Sequence, residues 1–177
     1  MPRAVRARAG SAVSGPEGLR RDGRATGRIR PAVPADVPAL EACARAAYAR
    51  YVPLIGREPA PMREDFGAAV ERGHVHALVE ADALAGYVVA RPRGRATALE
   101  NVAVLPDRAG RGLGRALIGF VETEARRRGH EAVELYTNAA MAENLALYPR
   151  LGYVETGRRR EDGFDRVYFR KALGADD

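Results

Sequence analysis

The sequence predicts an α+β fold built on a mixed, mostly antiparallel central sheet. Strands and helices follow one another in mixed order, and short turns join two pairs of consecutive strands. The chain has 177 residues, 46% of them hydrophobic, so one domain with a sizeable core is expected. We expect six to seven strands and about four helices in a domain that spans residues 26–173.

Residues 1–25 are predicted to be a disordered, arginine-rich tail because they show no apolar periodicity. A transit peptide and an over-long start are alternative interpretations of this tail. Residues 1–30 hold eight arginines against Glu17 and Asp22, which accounts for the whole net charge of +6. The remaining chain is formally neutral, and this balance argues against a nucleic-acid partner, whose binding face would lie on the folded part.

The composition also limits where the protein works. Cys43 is the single cysteine, so an internal disulfide is excluded and a reducing compartment is favoured. No apolar run approaches the ~20 residues that a membrane span needs, and no secretory signal pattern is present. We therefore expect a cytoplasmic location and no membrane partner.

The first half of the chain is predicted to contain three strands and two helices. The strands are expected at residues 26–33, 75–80 and 84–91, and the helices at residues 35–51 and 62–72. Asp36 is a plausible capping residue for the first helix, which buries Cys43 on its apolar face. Residues 52–61 contain three prolines and a glycine, so they are expected to form a loop without regular structure.

The second half is predicted to contain the central strand and two further helices. The strands are expected at residues 96–104, 131–137, 153–158 and 165–171, and the helices at residues 113–128 and 140–150. Gly129 and Gly152 are expected to end the two helices. Pro149 is expected to kink or tighten the last helix at Tyr148, because proline removes a helical hydrogen bond.

Residues 98–120 combine a strand, a glycine-rich turn and an amphipathic helix in that order. Gly110, Gly112 and Gly114 occur at every second position before the helix. A helix that begins among glycines leaves its first N–H groups without partners, and the helix dipole favours an anion there. The stretch therefore predicts a phosphate-binding site, with an ordinary glycine-rich connection as the alternative.

Two familiar phosphate-binding patterns do not fit this stretch. The nucleoside-triphosphate loop requires Gly-Lys-Ser/Thr, but the only lysine is Lys171, and the dinucleotide fingerprint requires a third glycine that is absent here. The spacing instead resembles the coenzyme A pyrophosphate loop of the GCN5-related N-acetyltransferase (GNAT) family, Arg/Gln-x-x-Gly-x-Gly/Ala. Gly112 and Gly114 occupy the last two fixed positions, whereas Ala109 departs from the first. The departure matters little, because such a loop binds through backbone N–H groups.

A second stretch, residues 134–153, resembles the distal motif of the same family, in which an Asn and a Leu-Tyr-x-x-x-Gly-Phe/Tyr run follow the fifth strand. The matching residues are Asn144, Leu147, Tyr148, Gly152 and Tyr153. The resemblance covers roughly residues 26–172, with both motifs in the expected order.

The resemblance implies acetyl-CoA as co-substrate, no metal, and a V-shaped splay between the central and fifth strands. The pantetheine arm of the coenzyme would lie in that splay and pair with the strand edge as another strand would. The residues expected to contact the coenzyme are Val102, Ala103, Val104, Ala109, Gly110, Arg111, Gly112, Leu113, Gly114, Arg115, Asn138 and Asn144.

The resemblance also implies acetyl transfer to an amine, which requires a neutral amine, a stabilised oxyanion and a protonated leaving thiolate. Tyr148 is the predicted general acid, because an ordinary pKa of about 10 keeps it protonated; a packed aromatic is the alternative. Glu100 is the candidate base, with a salt-bridged or substrate-binding carboxylate as the alternative. Strand alternation predicts that Glu100 and Val102 share one face, opposite Leu99, Asn101 and Ala103.

In the family, the first two helices and their loop cover the acceptor. The corresponding residues are Tyr48, Tyr51 and Arg57, and Glu100 completes the predicted substrate-binding set. The resemblance implies a small-molecule or peptide amine as acceptor and a monomer or homodimer as the acting unit.

Two competing functions use other features of the chain. One is an acyl-CoA-binding module without turnover, and the other is a nucleic-acid-associated protein that acts through its basic tail. His74, His76 and His130 show no metal-ligand spacing, so no metal site is predicted.

Overall fold

A computed structural model of the chain describes residues 27–174. The predicted disordered tail lies outside these residues, as does the start of the first predicted strand. Within residues 27–174, no helix is long and apolar enough to cross a membrane. The same residues contain no group of three or more His, Cys, Asp or Glu side chains that could hold a metal ion.

Seven strands form one sheet in the order β1-β2-β3-β4-β5-β7-β6. Their bounds are β1 Arg28–Pro31, β2 Val75–Glu80, β3 Ala83–Arg93, β4 Ala96–Val104, β5 Ala132–Asn138, β6 Val154–Glu161 and β7 Phe164–Ala172. Only β4 and β5 pair in parallel, and every other neighbouring pair is antiparallel. The predicted α+β class with a mixed, mostly antiparallel sheet is confirmed.

The helices of the described residues are α1 Val37–Tyr48, α2 Val52–Ile55, α3 Phe66–Glu71, α4 Leu113–Arg127 and α5 Ala142–Arg150. The sequence predicts no regular structure in residues 52–61, and this prediction is wrong at its start, where α2 forms. Pro53 stands in the first turn of α2, where its missing N–H would have no partner anyway. Gly56 ends α2 in the left-handed conformation with φ 80°.

Two apolar cores lie on opposite faces of the sheet. On one face, α4 and α5 pack over the middle strands through residues such as Leu117, Ile118 and Val133, all fully or almost fully buried. On the other face, α1 and α3 form a second core that includes Leu40 and the buried Cys43. The sheet is thus covered on both faces, with its middle strands between the two layers.

The predicted splay between β4 and β5 is present. The parallel pairing of the two strands ends at Leu99, which is opposite Leu135. Beyond this pair, β4 continues to Val104 beside β3 alone, and β5 continues to Asn138 beside β7 alone. The inner edges of both strands therefore diverge and leave a gap in the middle of the sheet.

A β-bulge lies where the splay begins. Val89 of β3 is opposite Asn101 and Ala90 is opposite Leu99, so Glu100 between them has no partner. The predicted strict alternation along β4 is therefore wrong, because the extra residue brings Leu99 and Val102 to the same α4-side core. Ala103 and Asn101 face α1 instead.

The short helix α3 depends on its cap. The Asp65 carboxylate accepts a hydrogen bond from the Ala68 N–H at 2.9 Å. Asp36, in contrast, does not cap α1 as predicted, because its carboxylate accepts from the Val33 N–H at 2.8 Å and pairs with Arg30.

We expect Asp65→Ala to lower the free energy of unfolding by about 1 kcal/mol, because an orphan N–H of a helix of six residues loses its acceptor. Thermal denaturation followed by circular dichroism measures the shift. Asp82→Gly is the control, since Asp82 has φ 62° in the β2–β3 turn and glycine adopts that conformation freely. An Asp65→Ala protein as stable as the parent would contradict the capping role.

Candidate active site

A cleft of about 590 Å³, measured with its open mouth, occupies the splay. One wall is formed by β4 and the other by the end of β5 and by α5. The lining residues are Leu99, Glu100, Asn101 and Val102 of β4, Tyr136, Thr137 and Asn138 of β5, and Met141, Asn144 and Tyr148 beside or within α5, with Tyr48, Ile55, Pro59, Ala60, Pro61, Phe164 and Arg166 above them. The end of β4 and the second motif, residues 134–153, thus line one cavity, whereas the glycine loop lies outside its lining.

The glycine loop presents a row of unpaired donors. Gly110 and Gly112 adopt the left-handed conformation, with φ values of 75° and 80°, and α4 begins directly after them. Within residues 27–174, the N–H groups of residues 110–115 donate to no backbone or side-chain acceptor, whereas the Ala109 N–H donates to the Pro106 carbonyl. Six consecutive N–H groups at the positive end of a helix form a cradle for an anion.

Two of the three arginine side chains near the loop are held by a carboxylate, and the third is exposed. Arg111 donates two hydrogen bonds of 3.0 Å to the Glu80 carboxylate, and Arg108 donates a third at 3.1 Å. Glu80 is 7% exposed, so these pairs anchor the loop to the end of β2. Arg115 remains exposed on the first turn of α4. The cofactor contact predicted for Arg111 therefore rests on its N–H group, and Arg115 offers the side-chain charge.

The backbone N–H and C=O groups of alternate β4 residues point to the free edge of the strand, away from β3. The Val102 carbonyl accepts a hydrogen bond from the Tyr48 hydroxyl at 2.9 Å, so it points away from β3. The Leu105 N–H donates to the Ala85 carbonyl of β3, which places the intervening Val104 on the same free edge as Val102. Ala103 faces β3 through its main chain, so Val102, which lines the cleft, and Val104 beyond it present their backbone groups at the free edge.

Tyr148 forms part of the cleft wall near the C-terminal end of α5. Its ring packs against Tyr153 and Phe169, with centroids 5.8 and 5.5 Å away, and its side chain is almost fully buried. Its hydroxyl makes no hydrogen bond within residues 27–174, so it is available to a group in the cleft. Burial, and to a smaller extent the nearby Tyr51, raises the pKa of Tyr148, so the phenol stays protonated.

Pro149 follows Tyr148 inside α5, as the sequence requires, and the last turn tightens. The Leu151 N–H donates to the Tyr148 carbonyl at 3.0 Å, and the Gly152 N–H donates to the Pro149 carbonyl at the same distance. The Leu151 N–H also keeps its ordinary helical bond to the Leu147 carbonyl at 3.2 Å. The end of α4, which contains no proline, closes at Gly129 with the same bond between residues three apart. The tight last turn of α5 is therefore the usual end of a helix at a glycine, here Gly152, and Pro149 does not account for it.

The Glu100 side chain lines the cleft and also forms an ion pair. Its carboxylate pairs with Arg91 of β3, and Arg91 also donates to Glu64 at 2.6 Å. Both alternatives from the sequence, a base and a salt-bridged carboxylate, are therefore compatible with its position. Arg91 therefore pairs with two carboxylates, and Glu100 shares this partner with Glu64.

The two predicted asparagines are held by local hydrogen bonds. Asn144 donates from Nδ2 to the Thr137 hydroxyl at 3.1 Å, which joins α5 to the end of β5. The Oδ1 atom of Asn138 accepts from the Ala140 N–H at 2.9 Å and forms the turn between these two elements. Both residues line the cleft. The Nδ2 atom of Asn144 also donates to the Met141 sulfur at 3.5 Å, so both of its hydrogens have partners inside the protein.

The residues predicted to bind the acceptor are brought together only in part. Tyr48 and Glu100 line the cleft, but Tyr51 does not, because its hydroxyl accepts from Arg50 at 2.7 Å outside it. Arg57 lies over the Phe164 ring, 3.6 Å from its centroid, and donates to the Asp162 carbonyl of the β6–β7 turn. Arg57 therefore fastens the segment after α2 to that turn instead of pointing into the cleft.

Sequence reasoning misses several residues of the site. Asn101 donates nothing to the protein from its buried Nδ2 atom, and its Oδ1 lies 3.0 Å from the Tyr48 hydroxyl. Phe164 and Arg166 reach the cleft from β7, which is distant along the chain. Only Asn101 had a local signal, as a polar residue inside an apolar strand.

Comparison with known proteins places this arrangement in context. Residues 40–153 match the sequence model of the acetyltransferase (GNAT) family. The [ribosomal protein bS18]-alanine N-acetyltransferase of Salmonella typhimurium is 33% identical over 112 residues, which are 63% of this chain and 72% of that protein.

Two solved structures share the fold. The ribosomal-protein-S18-alanine N-acetyltransferase of Escherichia coli has a TM-score of 0.69 at 24% identity, covering 85% of this chain and 96% of its own. The PaiA N-acetyltransferase of Thermoplasma acidophilum, in complex with coenzyme A, has a TM-score of 0.71 at 16% identity, covering 82% of this chain and 98% of its own.

Proposed function

This chain belongs to the GNAT family of acetyltransferases, and from that premise we propose that it transfers the acetyl group of acetyl-CoA to a primary amine by direct attack. The observation that carries the proposal is the run of unpaired N–H groups at residues 110–115 beside a cleft in the splay. An anion cradle and a free strand edge together suit a diphosphate that is followed by an amide-bearing arm.

The residues present fit acetyl-CoA, which supplies an activated thioester. The N–H groups of residues 110–115 hold the diphosphate, and Arg115 adds charge at its edge. The Val102 N–H and the backbone groups of Val104 pair with the amides of the pantetheine arm, as an added strand would, whereas the Val102 carbonyl is held by the Tyr48 hydroxyl. Asn144 lines the opposite wall, where its Oδ1 atom accepts a hydrogen bond from the arm. A backbone N–H at the free edge of β4 donates a hydrogen bond to the acetyl oxygen and stabilises the negative charge that develops there.

Tyr148 acts on the leaving sulfur. Its hydroxyl has no competing partner within the described residues, and its raised pKa keeps the phenol protonated, so it can donate a hydrogen bond to the sulfur. A thiol has an ordinary pKa of about 8.5, below that of the phenol, so Tyr148 stabilises the developing thiolate mainly by a strong hydrogen bond.

Glu100 receives the proton of the attacking amine, directly or through one water. The bulge turns its carboxylate to the cleft at the start of the splay, where the acyl group of a bound thioester would lie. Arg91 holds the carboxylate in place, since it bridges Glu100 to Glu64.

The acceptor that we propose is an α-amino group at the start of a polypeptide, with a small amine as the second candidate. The relative in Salmonella typhimurium and the structure from Escherichia coli are both named as ribosomal-protein alanine N-acetyltransferases. The cleft roof, formed by Tyr48, Ile55 and residues 59–61, is largely apolar and uncharged, so it suits a small first side chain.

Release of free thiol from acetyl-CoA, measured against a panel of amines and N-terminal peptides, tests the function. We expect turnover with at least one acceptor and saturation in both substrates. Calorimetric titration with coenzyme A runs in parallel. Binding without turnover on any acceptor would favour the acyl-CoA-binding module, and no binding at millimolar ligand would end the proposal.

We expect Gly112→Ala to raise the KM for acetyl-CoA about tenfold at nearly unchanged kcat. An L-residue pays about 1–2 kcal/mol at the φ of 80° found there, so the loop relaxes and its N–H groups lose their alignment. Steady-state kinetics with varied acetyl-CoA measures the split.

Gly129→Ala is the matched control, because Gly129 has φ 73° at the opposite end of the same helix. It should lose a similar amount of stability and keep its KM. Equal KM changes in the two variants would show that strain in α4, and not the anion cradle, is responsible.

A further inference from the structure

A second groove lies on the α1 side of the sheet, over β5, β7 and β6. It has about 790 Å³ with its open mouth, and its floor is formed by Tyr136 and Tyr168. The rings of these two residues lie 5.8 Å apart and are only half-buried. On the same face, α1 and α3 cover the neighbouring strands, so the groove is the uncovered remainder of that face.

The groove is continuous with the catalytic cleft. Leu99, Glu100 and Tyr136 line both cavities. A molecule whose amine reaches Glu100 can therefore continue along the groove without leaving the protein surface. Along β7, Phe164 and Arg166 line the cleft whereas Tyr168 and Arg170 line the groove, so the groove runs away from the β6–β7 turn that Arg57 contacts.

The acidic groups of the groove are already paired. Glu134 pairs with Arg170, and Glu100 pairs with Arg91. Two arginines at the rim remain for a ligand. Arg93 makes no ion pair within residues 27–174 and is exposed.

Arg159 is the second rim arginine, and its side chain is 68% exposed. Its guanidinium lies over the Tyr168 ring, 4.9 Å from the centroid, and 3.8 Å from Glu161. Glu161 also accepts a hydrogen bond of 2.9 Å from Arg166 and another from Tyr168, so its single charge is shared between two arginines.

We propose that this groove binds the residues that follow the acceptor amine of a polypeptide, and that its rim arginines select an acidic segment. The proposal rests on the proposed function, because the amine must enter the cleft. Arg93 and Arg159 lie on β3 and β6, which are four strand spacings, or about 19 Å, apart across the sheet. Their registers also differ by six residues along β5, Ala132 against Asn138, which adds about 20 Å along the strands. An extended chain therefore needs about eight residues to reach from one arginine to the other, far more than a small amine provides.

Two acceptor peptides of eight residues with the same first two residues test the proposal. One carries four Asp or Glu residues after these two, and the other carries four Lys residues. We expect kcat/KM from thiol release to favour the acidic peptide about five- to tenfold, with the preference shrinking as salt rises.

The double variant Arg93→Gln/Arg159→Gln should remove most of this preference. Arg95→Gln/Arg158→Gln is the control of equal charge, since Arg95 and Arg158 are paired with Glu131 and Glu155 away from the groove. Fluorescence anisotropy of the labelled acidic peptide, with coenzyme A present, measures binding independently of turnover.

Three outcomes would overturn the proposal in distinguishable ways. Turnover that is indifferent to peptide charge would remove the selection and leave the acetyltransferase function intact. Equal losses in the two double variants would show an effect of net charge alone. No thiol release from any acceptor would refute the proposed function itself, and anisotropy would then show whether the groove still binds the acidic peptide.

Discussion

Tyr148→Phe is expected to lower kcat between about ten- and ten-thousandfold while coenzyme A binds as before. The substitution removes one hydroxyl and keeps the ring that packs against Tyr153 and Phe169. The leaving thiolate then lacks its donor, and bulk water reaches this almost fully buried wall poorly. Thiol release at saturating substrates and calorimetric titration with coenzyme A measure the two quantities.

Tyr153→Phe is the matched control. Tyr153 follows the same helix, contacts the Tyr148 ring edge-on, and has a buried hydroxyl without a hydrogen-bond partner in the described residues. Removing an unsatisfied hydroxyl costs little stability, so this variant should keep its turnover. If Tyr148→Phe were as active as Tyr153→Phe, the acid role would be excluded and Tyr148 would be a packing residue.

The parts of the site that can be predicted from the sequence are those that depend on consecutive residues alone. Gly110 and Gly112 allow the left-handed backbone that the loop adopts, and the helix that follows leaves its first N–H groups free, so the anion cradle follows from local rules. The end of α5 at Gly152, which has φ 86°, follows from an equally local rule. Both features need no knowledge of the rest of the fold.

The parts that cannot be predicted depend on contacts between distant segments. Glu80 and Arg111 are 31 residues apart, and their pairing exists only because the end of β2 lies against the glycine loop. The bulge at Glu100 arises from the register between β3 and β4, which the alternation along β4 does not reveal. Arg57 looks like a substrate contact in the sequence because its stacking partner, Phe164, is more than a hundred residues away.

Glu100→Gln is expected to lower kcat by about a hundredfold or more at neutral pH, with the KM for acetyl-CoA nearly unchanged. The amide keeps the size of the side chain and can still contact Arg91, but it cannot accept the proton of the amine. An α-amino group has an ordinary pKa of about 7.7–8.0. Above that range the amine is neutral without help, so the deficit of the variant should shrink as pH rises.

This pH dependence separates a base from a purely structural carboxylate. Glu64→Gln is the matched control, because Glu64 shares Arg91 with Glu100 but does not line the cleft. Loss of the ion pair alone would lower kcat in both variants by a similar factor that is the same at every pH. A deficit confined to Glu100→Gln that diminishes at alkaline pH requires a proton to leave the amine through this side chain. Such a result would assign the proton transfer to the one unpaired residue of β4 in its register with β3, which lies directly after the last pair between β4 and β5.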